Sequence, residues 1–251
     1  MTSFRHSLGS TISLLWGLKV GLRQDRSQVL MYHSIGGRAE GDLRGLYSVE
    51  PSAFRNQVNI LRDRLSAGET SIVPFGSDES KAISITFDDG YLDNLTVAAP
   101  ILAEYGLPFH VFLCPTFIES GRSDFLSRTD VLELATIRGV SLGVHGFSHK
   151  PLTSLDINDA RSEMSSSRNW LEDLIQRPVT SMSYPHGAVN SQLAESALEA
   201  GFTHAACSKF GPIDSGVNPL TIPRIDIWSS DNKSSFTAKI DGKWDWMKWR
   251  T

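Results

Sequence analysis

Short apolar runs alternate along this chain with longer stretches in which apolar residues return every three or four positions. The short runs predict β-strands at 29–33, 83–87, 109–113, 141–144, 181–184, 204–207 and 221–227. The longer period predicts helices at 51–65, 95–105, 127–137, 158–175 and 191–200. Punctuation agrees with them: Pro51 opens the first, Asp156 is placed to cap the fourth, and Gly106, Gly139 and Gly201 follow helix ends. Strands that alternate with helices call for parallel pairing, so the expected class is α/β, a distorted (β/α)7-type barrel in a single domain. With no internal repeat and no low-complexity linker, the partition is an N-terminal helical arm at 1–26 and a barrel domain at 27–251.

The arm has a pattern of its own. Leu14, Leu15, Leu18 and Leu22 recur at helical spacing, with Trp16 beside them. Lys19 interrupts the apolar stretch 8–22, which is also shorter than the roughly 20 residues that span a bilayer. No small-residue cleavage site follows it cleanly. Two readings stay open: a helix packed on the domain, or an interfacial helix that makes a peripheral membrane contact through residues 8–22.

Composition narrows the function classes. Hydrophobic residues at 40% and charged residues at 21% are ordinary for a globular domain. A net charge of −4 with scattered basic residues sets nucleic-acid binding aside. Cys114 and Cys207 are too few and too far apart for a disulfide framework or a cysteine-rich zinc site, and read as two buried thiols.

Candidate chemistry collects where strands run into loops. His33 follows Val-Leu-Met-Tyr, Asp88 and Asp89 follow Ile-Ser-Ile-Thr-Phe, His145 follows Ser-Leu-Gly-Val, and Tyr184-Pro185-His186-Gly187 follows Thr-Ser-Met-Ser. In a parallel barrel these ends form one rim, the active-site face. Adjacent carboxylates repel unless a cation compensates, and one can bind that cation while the other faces a reacting water. His145 and His149, four apart around Gly146, can converge on the same ion. Two imidazoles and one carboxylate leave open positions, the layout of a catalytic metal site. Such an ion polarises an amide carbonyl and acidifies its water. Asp88 is placed to act as general base and His33 to protonate the leaving amine. His110 and His204 lie early in their strands and His6 in the arm, so these three read as structural.

Thr86-Phe87-Asp88-Asp89-Gly90 and His145-Gly146-Phe147-Ser148-His149 resemble the first two motifs of the polysaccharide deacetylases, the NodB-homology fold of carbohydrate esterase family 4. The resemblance runs from about residue 29 to 227 and implies Asp88 as base, with Asp89, His145 and His149 as ligands of a divalent metal, zinc first, with cobalt or nickel as substitutes. The family's third motif is Arg-x-Pro-(Phe/Tyr). This chain keeps Pro185 but has Ser183 where the arginine belongs, which leaves Arg224 of Ile-Pro-Arg-Ile-Asp as the candidate brace for the base. The backbone N–H of His186 can still serve an oxyanion, so Tyr184, Pro185 and His186 are taken as the substrate segment. The family's late acidic histidine is missing. Met31-Tyr32-His33 instead resembles the N-terminal signature of a circularly permuted branch that includes poly-N-acetylglucosamine deacetylases, which implies His33 as the acid.

The expected function is hydrolysis of N-acetyl groups on an N-acetylhexosamine-containing glycan or lipid-linked sugar precursor. Alternatives are a deformylase or amidohydrolase acting on another amide, and a non-catalytic carbohydrate-binding barrel. The expected location is the cytoplasm, at the inner membrane face if the arm binds lipid, with export as the alternative. Trp244, Trp246 and Trp249 near the C-terminus either stack on sugar rings or pack on the barrel. The oligomeric state is not legible in the sequence.

Overall fold

The structure is a computed structural model that describes residues 26–249. Residues 1–25 of the arm, with its proposed membrane contact at 8–22, lie outside the described residues. Among them, no helix is long and apolar enough to cross a membrane.

Among the described residues, ten strands form in chain order: β1 Gln28–Tyr32, β2 Ser34–Ile35, β3 Ser48–Val49, β4 Ser71–Ile72, β5 Ala82–Phe87, β6 Phe109–Leu113, β7 Val140–Val144, β8 Ser181–Ser183, β9 His204–Phe210 and β10 Ile222–Asp226. Strands β5 to β10 pair in sequence order, and β1 joins β10 to β5, so seven parallel strands close a barrel. The closing seam is regular, from Gln28↔Ile83 to Tyr32↔Phe87. Strand β4 pairs with the start of β5, outside the barrel, and β2 pairs with β3. The expected (β/α)7-type fold and single domain are therefore present.

The strands β1, β5 and β6 are buried at every position, as befits strands covered on both faces. Tyr32 and Phe87 pack on Phe54 of the first helix, which places them outside the barrel. Alternation then turns residues 31, 33, 86 and 88 inward.

Among the described residues, seven α-helices wrap the strands: α1 Pro51–Ser66, α2 Ala99–Ala103, α3 Pro115–Ile118, α4 Arg128–Leu134, α5 Ile157–Ile175, α6 Ser191–Glu199 and α7 Lys233–Ile240. Asp156 accepts hydrogen bonds from the amides of Asn158 and Asp159, as its position before α5 predicted. Ser127 and Asp130 form a reciprocal capping box on α4. The helix expected at 95–105 differs: it opens as a π-turn at Asn94–Ala98 before narrowing into α2. Pro100 explains the widening, because its ring clashes with the carbonyl four residues back in a regular helix.

Both cysteines are free and buried, as expected. Trp244 is also buried, edge-on to Trp228 and stacked on Trp246, so this part of the tryptophan cluster packs on the barrel.

A candidate metal centre in the barrel mouth

The C-terminal ends of β1, β5, β7, β8 and β10 meet at one rim, and each contributes a polar residue. Asp88 leaves β5 on the inner face, and its amide donates to the Tyr32 carbonyl on β1 (2.9 Å). The chain then turns sharply: Asp89 and Gly90 both take left-handed backbone angles, with φ of 75° and 82°. This turn lets two neighbouring carboxylates serve the same cavity from different directions.

Asp89, His145 and His149 each offer one ligand atom, and the three atoms lie within 4.8 Å of one another. The Nε2 atoms of His149 and His145 stand 3.1 and 3.5 Å from Asp89 Oδ1. That oxygen is buried and makes no well-aligned hydrogen bond, whereas Asp89 Oδ2 accepts from the Tyr91 hydroxyl (3.1 Å). His145 Nδ1 lies 2.9 Å from the Ser183 carbonyl. A carbonyl only accepts, so Nδ1 carries the proton and Nε2 keeps its lone pair for an ion. A stranded carboxylate oxygen between imidazole nitrogens fits a divalent cation, and the N₂O donor set suits zinc.

Burial pushes the Asp89 carboxyl up, but the close approach of His149 and the charge of the nearby imidazoles outweigh it and hold it below the ordinary carboxylate value. Burial pulls His145 down to about 4, against the attraction of Asp88 and Asp89, so this imidazole is neutral at pH 7.

Asp88 is braced by Arg224. The guanidinium donates from Nη1 to Oδ1 and from Nη2 to Oδ2, both at 2.7 Å. Its remaining donors reach Thr86 Oγ1, Ser183 Oγ and the Cys207 carbonyl, so all five N–H groups are engaged. Ser183, standing where the arginine was expected, donates in turn to Asp88 Oδ2 at 3.3 Å. Burial raises Asp88, yet Arg224 and then His145 lower it further, so the group is an anion at neutral pH.

His33 reaches the same mouth from β1. Its carbonyl accepts from Asn94 Nδ2 (2.9 Å) in the π-turn, and its ring lies 4.6 Å from that of Tyr47. His33 Nδ1 and Asp226 Oδ1 are both buried without hydrogen-bond partners, at the ends of neighbouring strands. Burial raises the Asp226 carboxyl, opposed by Lys239, Arg224 and His33. Tyr47, Tyr91 and Asn94 lie outside the motifs read from the sequence, and Asp226 closes the Ile-Pro-Arg-Ile-Asp motif without having been given a role. Asp226, two residues beyond Arg224 on β10, had a signal in strand parity.

The expected substrate segment divides. His186, at φ 57°, places its ring 4.7 Å from that of His149, and Pro185 packs beneath Gly146. The Tyr184 side chain, by contrast, is turned away into the core, where its hydroxyl donates to the Leu220 carbonyl. The inner face of β8 is taken by Ser183, and alternation sends the next residue outward. His110 and His204 lie at the opposite end of the barrel with Phe75. His110 is pulled down to about 3 by burial.

A parallel seven-stranded barrel with two carboxylates and two imidazoles at its mouth could hold a divalent ion with a second carboxylate beside it. The polysaccharide deacetylase family model matches residues 76–205, and this chain belongs to that family. It is 27% identical over 219 residues to the putative polysaccharide deacetylase YxkH of Bacillus subtilis, covering 85% of this chain and 75% of that protein. Among solved structures it resembles the Streptococcus pyogenes deacetylase PplD in complex with acetate, at 20% identity and TM-score 0.72, covering 86% of this chain and 98% of that one. IcaB from Ammonifex degensii matches at 19% identity and TM-score 0.70, over 89% and 97% of the two chains. These structures share the fold.

Proposed function

We propose that this chain is a metal-dependent N-deacetylase acting on an N-acetylhexosamine-containing glycan or glycan precursor. The observation that carries the reading is Asp89 Oδ1, buried between two imidazole nitrogens and next to a fully braced Asp88. Asp89, His145 and His149 would hold the ion. When bound, it supplies Lewis-acid polarisation of the acetyl carbonyl and acidification of the attacking water.

The chain's own residues do the rest. Asp88, kept ionised and oriented by Arg224, takes the proton from the water. The backbone N–H of His186 faces the developing oxyanion. His33 protonates the departing amine, with Asp226 as the carboxylate beside it. Tyr184 contributes through its backbone alone, since its hydroxyl is spent in the core.

Acetate release from N-acetylglucosamine oligomers and lipid-linked precursors tests this reading. Chelation should abolish it and Zn²⁺ should restore it; an unaffected chelated enzyme sinks the metal centre. Asp88→Asn should keep its metal and lose turnover by about 10³-fold, within the range of a lost general base, whereas Asp89→Asn should lose the metal itself. Equal loss of metal in both variants overturns the division of roles. Release of formate but not acetate from matched substrates overturns the acyl group.

A further inference from the structure

We propose that Glu163 on α5 is a positioning residue for the metal centre, fixing the backbone turn that carries His149. The inference rests on the metal-site reading above and adds a residue outside its motifs.

Three hydrogen bonds converge on this one carboxylate. The amides of Phe147 and Ser148 donate to Oε2, each at 2.8 Å, and the Ser148 hydroxyl donates to Oε1 at 2.6 Å. The other side of the same segment is also pinned. The Phe147 carbonyl accepts from the Thr116 amide at 3.0 Å and the Thr116 hydroxyl at 2.8 Å. The peptide segment between the two histidine ligands is thus held from α5 on one side and from the start of α3 on the other.

This clamp meets a local need. His149 stands at φ 62°, a left-handed conformation that is sterically unfavourable for a residue with a Cβ. Such a conformation persists only where surrounding contacts over-determine it. Gly146, at φ 65°, cannot supply a side-chain contact of its own: a Cβ there would stand 2.8 Å from Pro185 Cγ. Ser148 and Glu163 provide the polar anchor instead.

The helix position is informative as well. Ala160, Met164, Ser167 and Leu171 are the buried stripe of α5. Glu163 lies three residues after the first and four before the third, on the edge of that stripe. A half-buried carboxylate on a core-facing edge is unfavourable unless donors meet it, and the donors here all belong to the metal loop. Helix α5 is anchored by its Asp156 cap, so the carboxylate projects from a rigid support.

The test uses the full chain, stripped of metal and titrated with Zn²⁺ against a chelator and with Co²⁺ by visible absorption. Glu163→Ala should weaken Zn²⁺ binding about 10- to 100-fold, the usual cost of losing a group that orients ligands. It should also change the Co²⁺ spectrum, while the metal-free protein melts near the wild-type temperature. Glu163→Gln keeps an acceptor for both amides and lets the Ser148 hydroxyl accept instead of donate, so it should recover most of the affinity. Ser148→Ala removes one bond of the three and keeps the inference falsifiable if Glu163→Ala does not fold; its Zn²⁺ affinity should fall severalfold. Wild-type affinity and spectrum in both Glu163→Ala and Ser148→Ala overturn the positioning role. A wild-type chain that takes up neither metal overturns the metal centre, and this inference with it.

Discussion

The barrel mouth and the flank behind α7 each bury a complete ion pair, yet the two pairs are built on different cations. Side-chain exposure is 1% and 2% for Arg224–Asp88, and zero for both Lys239 and Asp231, so burial does not separate them. Geometry does. Arg224 grips both Asp88 oxygens with a planar fork and leaves the carboxylate 3.9 Å from His145 Nε2, facing the metal ligands. Lys239 is a point charge in a cage, bonded to Asp231 Oδ2 (2.5 Å) and the Asp226 carbonyl (2.7 Å), with the Trp228 ring 3.8 Å away. The fork sets an orientation, whereas the ammonium ties a helix to a strand end. A buried ion pair is therefore weak evidence of function until the shape of its cation is considered.

The largest effect that would sharpen this contrast comes from Arg224→Lys, which keeps the charge and loses the fork. Turnover at saturating Zn²⁺ should fall about 100-fold, the cost of misplacing a reacting group by an ångström. Activity close to wild type would show that Asp88 needs only a nearby cation. Lys239→Met should act on stability instead. Denaturant midpoints should report a loss of about 3 kcal/mol, because Asp231 is left buried without its counter-charge. The folded enzyme should lose far less turnover than Arg224→Lys does, because Lys239 meets the site only through Asp226. A loss as deep as that of Arg224→Lys would erase the distinction.

The smallest effect is in pH dependence, read as difference curves on the metal-free protein. Burial raises the Asp88 carboxyl, but Arg224 outweighs it and leaves the group below its ordinary 3.8, so the unfolded chain binds the proton more readily. Its contribution is present above that ordinary value and lost as pH falls through the folded one. Asp88→Asn should remove this acid-side slope. Burial lowers the Lys239 ammonium from its ordinary 10.5, with Asp231 opposing. Burying that charge costs stability at neutral pH, and the cost fades as pH rises toward the ordinary value. Lys239→Met should remove that alkaline-side rise. Unchanged slopes in either variant would mean that another group titrates there.

The barrel was legible because its strands are covered on both faces and so read as nearly unbroken apolar runs. Strands β2, β3 and β4, of two residues each, are too short to show any period. Helix α7 was hidden for another reason: Ser235 and Lys239 occupy two of its buried positions, which erases the apolar stripe. In the site, motif residues that stand at strand ends meet at the rim, because a parallel barrel gathers those ends on one face. The Tyr184 side chain does not, because its strand neighbour Ser183 takes the inward position. Arg224 could be suggested but not demonstrated, since its contact with Asp88 spans 136 residues. Asn94 and Glu163 make hydrogen bonds to groups far along the chain, and no local pattern announces such partners.

The seam at β1 has a consequence for how the protein comes into being. Strands β1 and β5 are made early and can pair as soon as both have emerged, which places His33 beside Asp88. The barrel waits for β10, which pairs with β1 on its other edge. At ordinary translation rates Arg224 leaves the ribosome on the order of ten seconds after Asp88. During that interval the future base lacks the Arg224 fork that braces it in the finished barrel. The strand that closes the cylinder also delivers the cation that orients the base, so structural completion and catalytic competence arrive in one event. A nascent chain halted before β10 would lack both.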